Sequence, residues 1–267
     1  SPSHALDVVS VIEATLDNPM TILIAQQHSA RGEAIARMKE EGYDYEDRMA
    51  AVEEIEWPRP LEDILDALFE IFAPSHPWIP ADALQPKSVV RDMYERAMTF
   101  GEFCAHYKVQ RSEGLVLRYL TDAYRALRQT VPETERTDEL SDVISWLGEV
   151  VRSIDSSLID EWEELTHPVD EGPEEVRPVR TFTANQRAFT VMVRNAMFRK
   201  VILAADDDFK ALGAAEPEGS AMTTAAWEDT LGDYWDEHDE INDGPDARTS
   251  GLFMIEQESG RHDSRIW

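Results

Sequence analysis

The chain has 267 residues, 42% hydrophobic and 9% aromatic, with 54 acidic residues against 25 lysines and arginines and a formal net charge of −29. That apolar content can bury a core over one or two domains and excludes a disordered acidic tail, while a lone cysteine, Cys104, excludes an internal disulfide framework and a cysteine-based zinc site. The charge repels nucleic acid and anionic membranes at long range. No apolar run is long enough to span a bilayer, and SPSHALDVVS lacks the pattern of a secretory leader, so a reducing, cytoplasmic setting is expected.

Residues 6–19 carry helical apolar spacing and stop at Asp17-Asn18-Pro19. A second helix is predicted over 22–42, ending at Gly42, and a shorter one over 43–56, closed by Trp57-Pro58. Leu61, Ile64, Leu65, Leu68 and Phe72 predict an amphipathic helix over 61–72. The stretch with Pro74, Pro77, Pro80 and Pro86 reads as an ordered loop tied down by Trp78 and Ile79. Residues 88–98 read as a helix, and Thr99-Phe100-Gly101-Glu102 is a capping box that starts a short helix through Tyr107. Ser112 is expected to cap a longer helix to about Thr130, buried along Leu117, Leu120, Tyr124 and Leu127.

After Val131-Pro132 a long helix is expected over 138–165, with Val143, Trp146, Leu147, Val150, Ile154, Leu158 and Trp162 on its buried side. Residues 166–180, rich in proline, glycine and charge, read as a linker. Helices are predicted over 184–212 and 225–241, and a strand over 252–256. One or two strands cannot close a sheet. The expectation is therefore a mainly α chain: a helical accessory domain at 1–165, a linker at 166–180, and a small, incomplete α+β domain at 181–267.

The charge is unevenly placed. Between Lys87 and Arg128 eight basic residues face five acids, a local +3, and Val176–Ala205 holds five arginines and Lys200 with no acid. Arg111, Arg118 and Arg125 recur every seven residues, on one helical face, with Arg128 beside them. Guanidinium forks in a row suit a phosphate backbone, and the alternative is a solvated face with Arg118 paired to Asp122. The acid-free island offers Arg187, Arg194, Arg199 and Lys200 for docking on RNA, on a partner, or on the acidic remainder of the chain.

Catalytic signatures are missing. The sequence has neither a Gly-x4-Gly-Lys-Ser/Thr loop nor a GxGxxG turn. Asp236-Glu237-His238-Asp239 spells a helicase-like box, but it follows Tyr234-Trp235 in a helical acidic stretch and not a buried strand. Glu164-Leu165-Thr166-His167 is one ExxH where a di-iron site needs two, so a solvated helix end is the better reading. The seven histidines are scattered singly. No metal, cofactor or catalytic residue is expected, and the chain alone is not expected to be an enzyme.

The run MTFGEFCAHYKVQRSEGLVLRYLTDAYRALRQT (98–130) resembles the core of the DSHCT domain, the C-terminal helical bundle of Ski-type, exosome-associated RNA helicases. The shared pattern falls on Met98-Thr99-Phe100, Cys104, Glu113-Gly114, Leu117-Arg118, Leu120 and Ala126-Leu127-Arg128-Gln129. Glu41-Gly42-Tyr43, His76-Pro77-Trp78 and Leu84–Glu133 are more closely similar to bacterial DEAD/DEAH-box helicases whose C-terminal region is a domain of unknown function. Residues 6–27 are similar to the stretch after their second motor domain. The resemblance implies a winged-helix remnant and a DSHCT-like bundle, with 112–130 as a ratchet helix along the exiting strand. It also implies a C-terminal domain like a cone-shaped nuclear-transport-factor fold, cut short or altered after Glu258.

Taken with the resemblance, the residues read as the C-terminal accessory region of an ATP-dependent RNA helicase. The implied partners are motor domains, in the same or another chain, and single-stranded RNA or DNA. The motor itself is missing from the sequence. The alternative is an acidic protein-interaction module or regulator with no direct RNA contact.

Overall fold

The computed structural model describes residues 2–80, 82–155 and 186–254. Among them are eleven α-helices and no strand. They are α1 (Pro2–Ala14), α2 (Met20–Glu40), α3 (Tyr45–Glu53), α4 (Glu62–Phe72), α5 (Val90–Glu95), α6 (Phe100–His106), α7 (Glu113–Thr130), α8 (Asp138–Ile154), α9 (Gln186–Ala205), α10 (Phe209–Ala214) and α11 (Thr224–Trp235). The chain is mainly helical. It divides into two compact units, residues 3–199 and 200–267. The expected linker at 166–180, the 156–165 end of the long helix with Leu158 and Trp162, and residues 255–267 lie outside the described residues.

Local chemistry sets several helix ends of the first unit. Pro19 separates α1 from α2, and Gly42, at φ +85°, follows the end of α2 in the left-handed region that only glycine enters without strain. Asp44 caps α3 by accepting from the Asp47 amide at 2.9 Å. The capping box forms as expected. Thr99 Oγ1 accepts from the Glu102 amide at 3.3 Å, and Glu102 Oε2 accepts from the Thr99 amide at 2.8 Å. Ser112 departs from expectation. It sits inside the turn Gln110–Ser112, and its side chain caps nothing.

The main core joins α1, α2, α5, α6, α7 and α8 with Val191 of α9. The buried stripe of α7 is rotated slightly from its expected phase. Val116, Tyr119, Leu120, Ala123, Tyr124 and Leu127 are buried, while Leu117 is half-buried against the same core. Trp146 and Leu147 of α8 are fully buried, with the Trp146 ring edge-on to Tyr94 at 5.0 Å. Ile154, expected inside, is the last residue of α8 and is 41% exposed. Gly148 admits the Tyr124 ring against α8, because a Cβ there would meet Tyr124 Cε2 at 2.7 Å.

Two further expectations are corrected. Of the α4 stripe only Leu65 is buried, and Trp78 is 74% exposed and ties nothing down. The loop is held instead near its end, where the Trp57 indole donates to the Pro86 carbonyl at 3.3 Å. The second unit is not α+β over its described residues. Leu203, Ala204, Leu212 and Leu231 form a small helical core, and Ser250–Leu252 is a 3-10 turn whose Leu252 amide bonds back to Thr249. Hydrogen bonding three residues back replaces the ladder that a strand at 252–256 needs; residues 255 and 256 lie outside the described ones. The helix predicted over 184–212 breaks at Asp206–Asp208, where Asp207 turns to φ +55° and Asp208 caps α10 through the Ala211 amide at 3.0 Å. The helix predicted to 241 ends at Trp235.

Candidate nucleic-acid interface

A buried polar knot positions α7. Val9 and Glu13 lie one turn apart on the inward face of α1, which drives an acid into the core. Glu13 Oε1 accepts from the Val89 and Val90 amides at 2.9 Å each and from the Tyr119 hydroxyl at 2.9 Å, and Oε2 accepts from the Arg91 amide at 3.2 Å. The carboxylate thus serves the unpaired amides at the start of α5 and ties them to α7. Burial pushes the Glu13 carboxyl up, while the three amides and the Tyr119 hydroxyl pull it back. The Tyr119 hydroxyl is pushed well up by burial and by the neighbouring carboxylate.

Lys87 closes the same C-terminal end of α1. It is fully buried, and its ammonium donates to the carbonyls of Glu13 at 2.9 Å and Leu16 at 2.6 Å. A cation at a helix C-terminus answers the exposed carbonyls there. Burial lowers its pKa to about 8, against the pull of Glu13 and Asp17. Asp92 completes the knot by accepting from Tyr107 Oη at 2.6 Å and Arg96 Nε at 2.9 Å. Residues 87–92 are therefore the lock that joins α1, α5 and α7 and holds Tyr107 at the end of α6, while Gln26 of α2 donates to the Ser88 carbonyl at 2.6 Å. Sequence reasoning missed Glu13 and Lys87, although an acid four residues after Val9 on an apolar face was the available signal.

The four arginines of the expected row meet different surroundings. Arg118 is exposed on α7, and Arg125 lies two turns further along the same face, half-buried. Arg111 is exposed, but it stands in the turn before α7, so the heptad does not run along one helix. Among the described residues Arg111 and Arg118 make no ion pair, and the Arg118–Asp122 bridge does not form. Arg128 is half-buried with its guanidinium 5.9 Å from the Tyr124 ring centre, donating to the Tyr124 hydroxyl at 3.1 Å. Lys108, one of the eight basic residues between Lys87 and Arg128, is exposed close by along the chain at φ +57°.

The acid-free island behaves otherwise. Arg187 Nε donates to Asp142 at 2.7 Å and its Nη2 to the Asp138 carboxylate at 3.1 Å. Arg194 Nη2 donates to the other oxygen of Asp142 at 2.8 Å, and Arg199 Nε to Glu102 at 3.2 Å. These contacts and Val191 bind the first part of α9 to the first unit, so the division into units falls within α9. In the second unit Lys200 donates to Glu216 at 2.6 Å.

A family model described as Domain of unknown function (DUF3516) matches residues 1–267. The chain belongs to this family. Comparison with curated proteins and with solved structures finds no match.

Elsewhere the described residues of the DUF3516 chain offer little chemistry. Asp236–Asp239 follows the end of α11 in a turn, where the His238 ring lies against Tyr234 at 4.4 Å, and no strand or phosphate loop adjoins it among the described residues. Glu164 and His167 lie outside the described residues. Among those described, no three His, Cys, Asp or Glu side chains come together as a metal site. Cys104 is buried, and that burial pushes its thiol up to about 11, so it is inert as a nucleophile. No described helix is long and apolar enough to cross a membrane.

Proposed function

We propose that this DUF3516 chain is the C-terminal accessory region of an ATP-dependent RNA helicase. In this reading the first unit is a DSHCT-like bundle that contacts the motor domains, and α7 guides single-stranded RNA. The observation that carries it is the pair Arg111 and Arg118, exposed and without an ion pair among the described residues of a chain with net charge −29. In such an acidic chain a cation that answers none of the available carboxylates is poised for an external anion. Arg125 and Arg128 extend the basic edge, and the resemblance over 84–133 supplies the class of machine. The chain has no ATP site in this reading; hydrolysis belongs to the motor.

The test is photocrosslinking of a 4-thiouridine-containing single-stranded RNA to the full chain at low salt, with the crosslinked peptides identified by mass spectrometry. Crosslinks concentrated at 108–128 are expected. Crosslinks elsewhere, or none, would overturn the RNA path, and ATP turnover by the chain alone would overturn the accessory role.

A second reading, an acidic protein-interaction module without RNA contact, draws support from the apolar face of α4. It gains if no RNA crosslinks form.

A further inference from the structure

The exposed face of α4 is an apolar feature that neither the core nor the arginine row explains. Ile64, Leu68, Ile71 and Phe72 are spaced as i, i+4, i+7 and i+8, which places them on one side of the helix. They are 57%, 58%, 78% and 44% exposed. The stripe continues past the helix end. His76 stacks on Phe72 at 3.6 Å, and the exposed Trp78 lies edge-on to His76 at 5.2 Å. Single exposed apolar residues are ordinary, but five large ones within fifteen positions and in one continuous line mark a surface that is covered in use.

The charge beside the stripe says what covers it. Helix α4 carries Glu62, Asp63, Asp66 and Glu70 and no base. The nearest arginine in sequence, Arg59, is held between Glu56 and Glu62 and stacks over Trp57. Asp63, Asp66 and Glu70 form no ion pair among the described residues. Acidic neighbours repel nucleic acid and anionic lipid, and they disfavour a second copy of the same acidic helix. We propose that α4 and Trp78 form a docking face for a basic amphipathic helix of a partner polypeptide. Its apolar ridge lies along Ile64, Leu68, Ile71 and Phe72, with Trp78 as the end anchor, and its lysines or arginines meet Asp63, Asp66 and Glu70. The face shares no residue with the arginine row, so it stands whether or not RNA runs along α7.

The probe is a fluorescein-labelled synthetic 18-residue amphipathic helix with leucines at i, i+4, i+7 and i+11 and a lysine rim, titrated into the full chain and followed by anisotropy. A second peptide keeps the leucines and carries a glutamate rim. The lysine peptide is expected to bind, and to weaken at least tenfold with the L68D/I71D double variant, with the glutamate rim, and with raised salt. Both substituted residues are exposed, so an unchanged thermal midpoint and helical circular dichroism will show that the variant folds. Failure of the lysine peptide to bind, or equal binding to wild type and variant, would overturn the proposal. So would a concentration-dependent dimer of the wild type abolished by L68D/I71D, which assigns the face to a second copy. Binding to neutral phosphatidylcholine vesicles lost in the same variant would assign it to a lipid surface.

Discussion

Two sets of arginines in this chain share a chemistry and differ in what they do. On α9, Arg187, Arg194 and Arg199 come from a stretch with no acid of its own, and each reaches a carboxylate of α6 or α8. Around α7, Arg111 and Arg118 sit among acids in the sequence, yet neither makes an ion pair among the described residues. The more basic-looking segment is thus the one whose cations are engaged internally. Local charge balance counts neighbours along the chain, whereas ion pairing counts neighbours in space. Here the partners of the α9 arginines lie 45–97 positions away.

The comparison predicts a graded cost for disturbing engaged and unengaged charge. The extreme engaged case is Glu13. Glu13→Ala leaves three amides and the Tyr119 hydroxyl without their acceptor, and should cost about 3–5 kcal/mol in urea unfolding. A loss below about 1 kcal/mol would show that water replaces the carboxylate and that α7 is not held by this knot.

Next in size is Gly148→Ala, which tests how firmly α7 presents its basic edge. Tyr124 is buried and bonded by Arg128, so its ring cannot move aside, and overpacking of about 1–3 kcal/mol is expected in the same assay. Asp142→Ala should follow at about 1–2 kcal/mol, because it strands the largely buried Arg194 together with Arg187. Asp122→Ala, beside Arg118, should change stability by less than about 0.5 kcal/mol. Equal costs at 142 and 122 would erase the distinction between the two arginine sets.

A pH dependence tests the buried cation of the knot. Lys87 titrates near 8 in the fold because it is buried, below the ordinary lysine value of about 10.4 in the unfolded chain. Between those values the unfolded chain holds a proton that the fold has released, so this residue adds stability as pH rises through that window. Measured by unfolding at pH 7.5 and 9.5, wild type should gain relative to Lys87→Met. A parallel response in both proteins would contradict the burial of the ammonium.

Much of the fold is legible locally. The Thr99/Glu102 box, the Asp17-Asn18-Pro19 break and the length of α7 depend on residues within a turn of one another. The misses depend on distance in sequence. The amphipathic pattern of α4 announces an apolar face but not what covers it, and only Leu65 goes inward. Glu13 and Lys87 are separated from most of their functional context by more than 70 residues, joined only when 85–91 wraps the end of α1. Likewise the heptad of arginines and the start of the helix after Arg111 are visible in the sequence, but not that Arg128 lies on Tyr124.

The claim that the arginines around α7 serve an external phosphate chain is tested most directly by the salt dependence of RNA binding. A labelled 20-nucleotide single-stranded RNA is titrated with the full chain at two low salt concentrations, using wild type, R111A/R118A/R125A and the α9 variant R187A/R199A. The account predicts that the α7 variant binds more weakly and that its plot of log affinity against log salt flattens by about 2, the value for three single-strand phosphate contacts. The α9 variant should keep the wild-type slope. An unchanged slope in the α7 variant, or an equal loss in both variants, would contradict it.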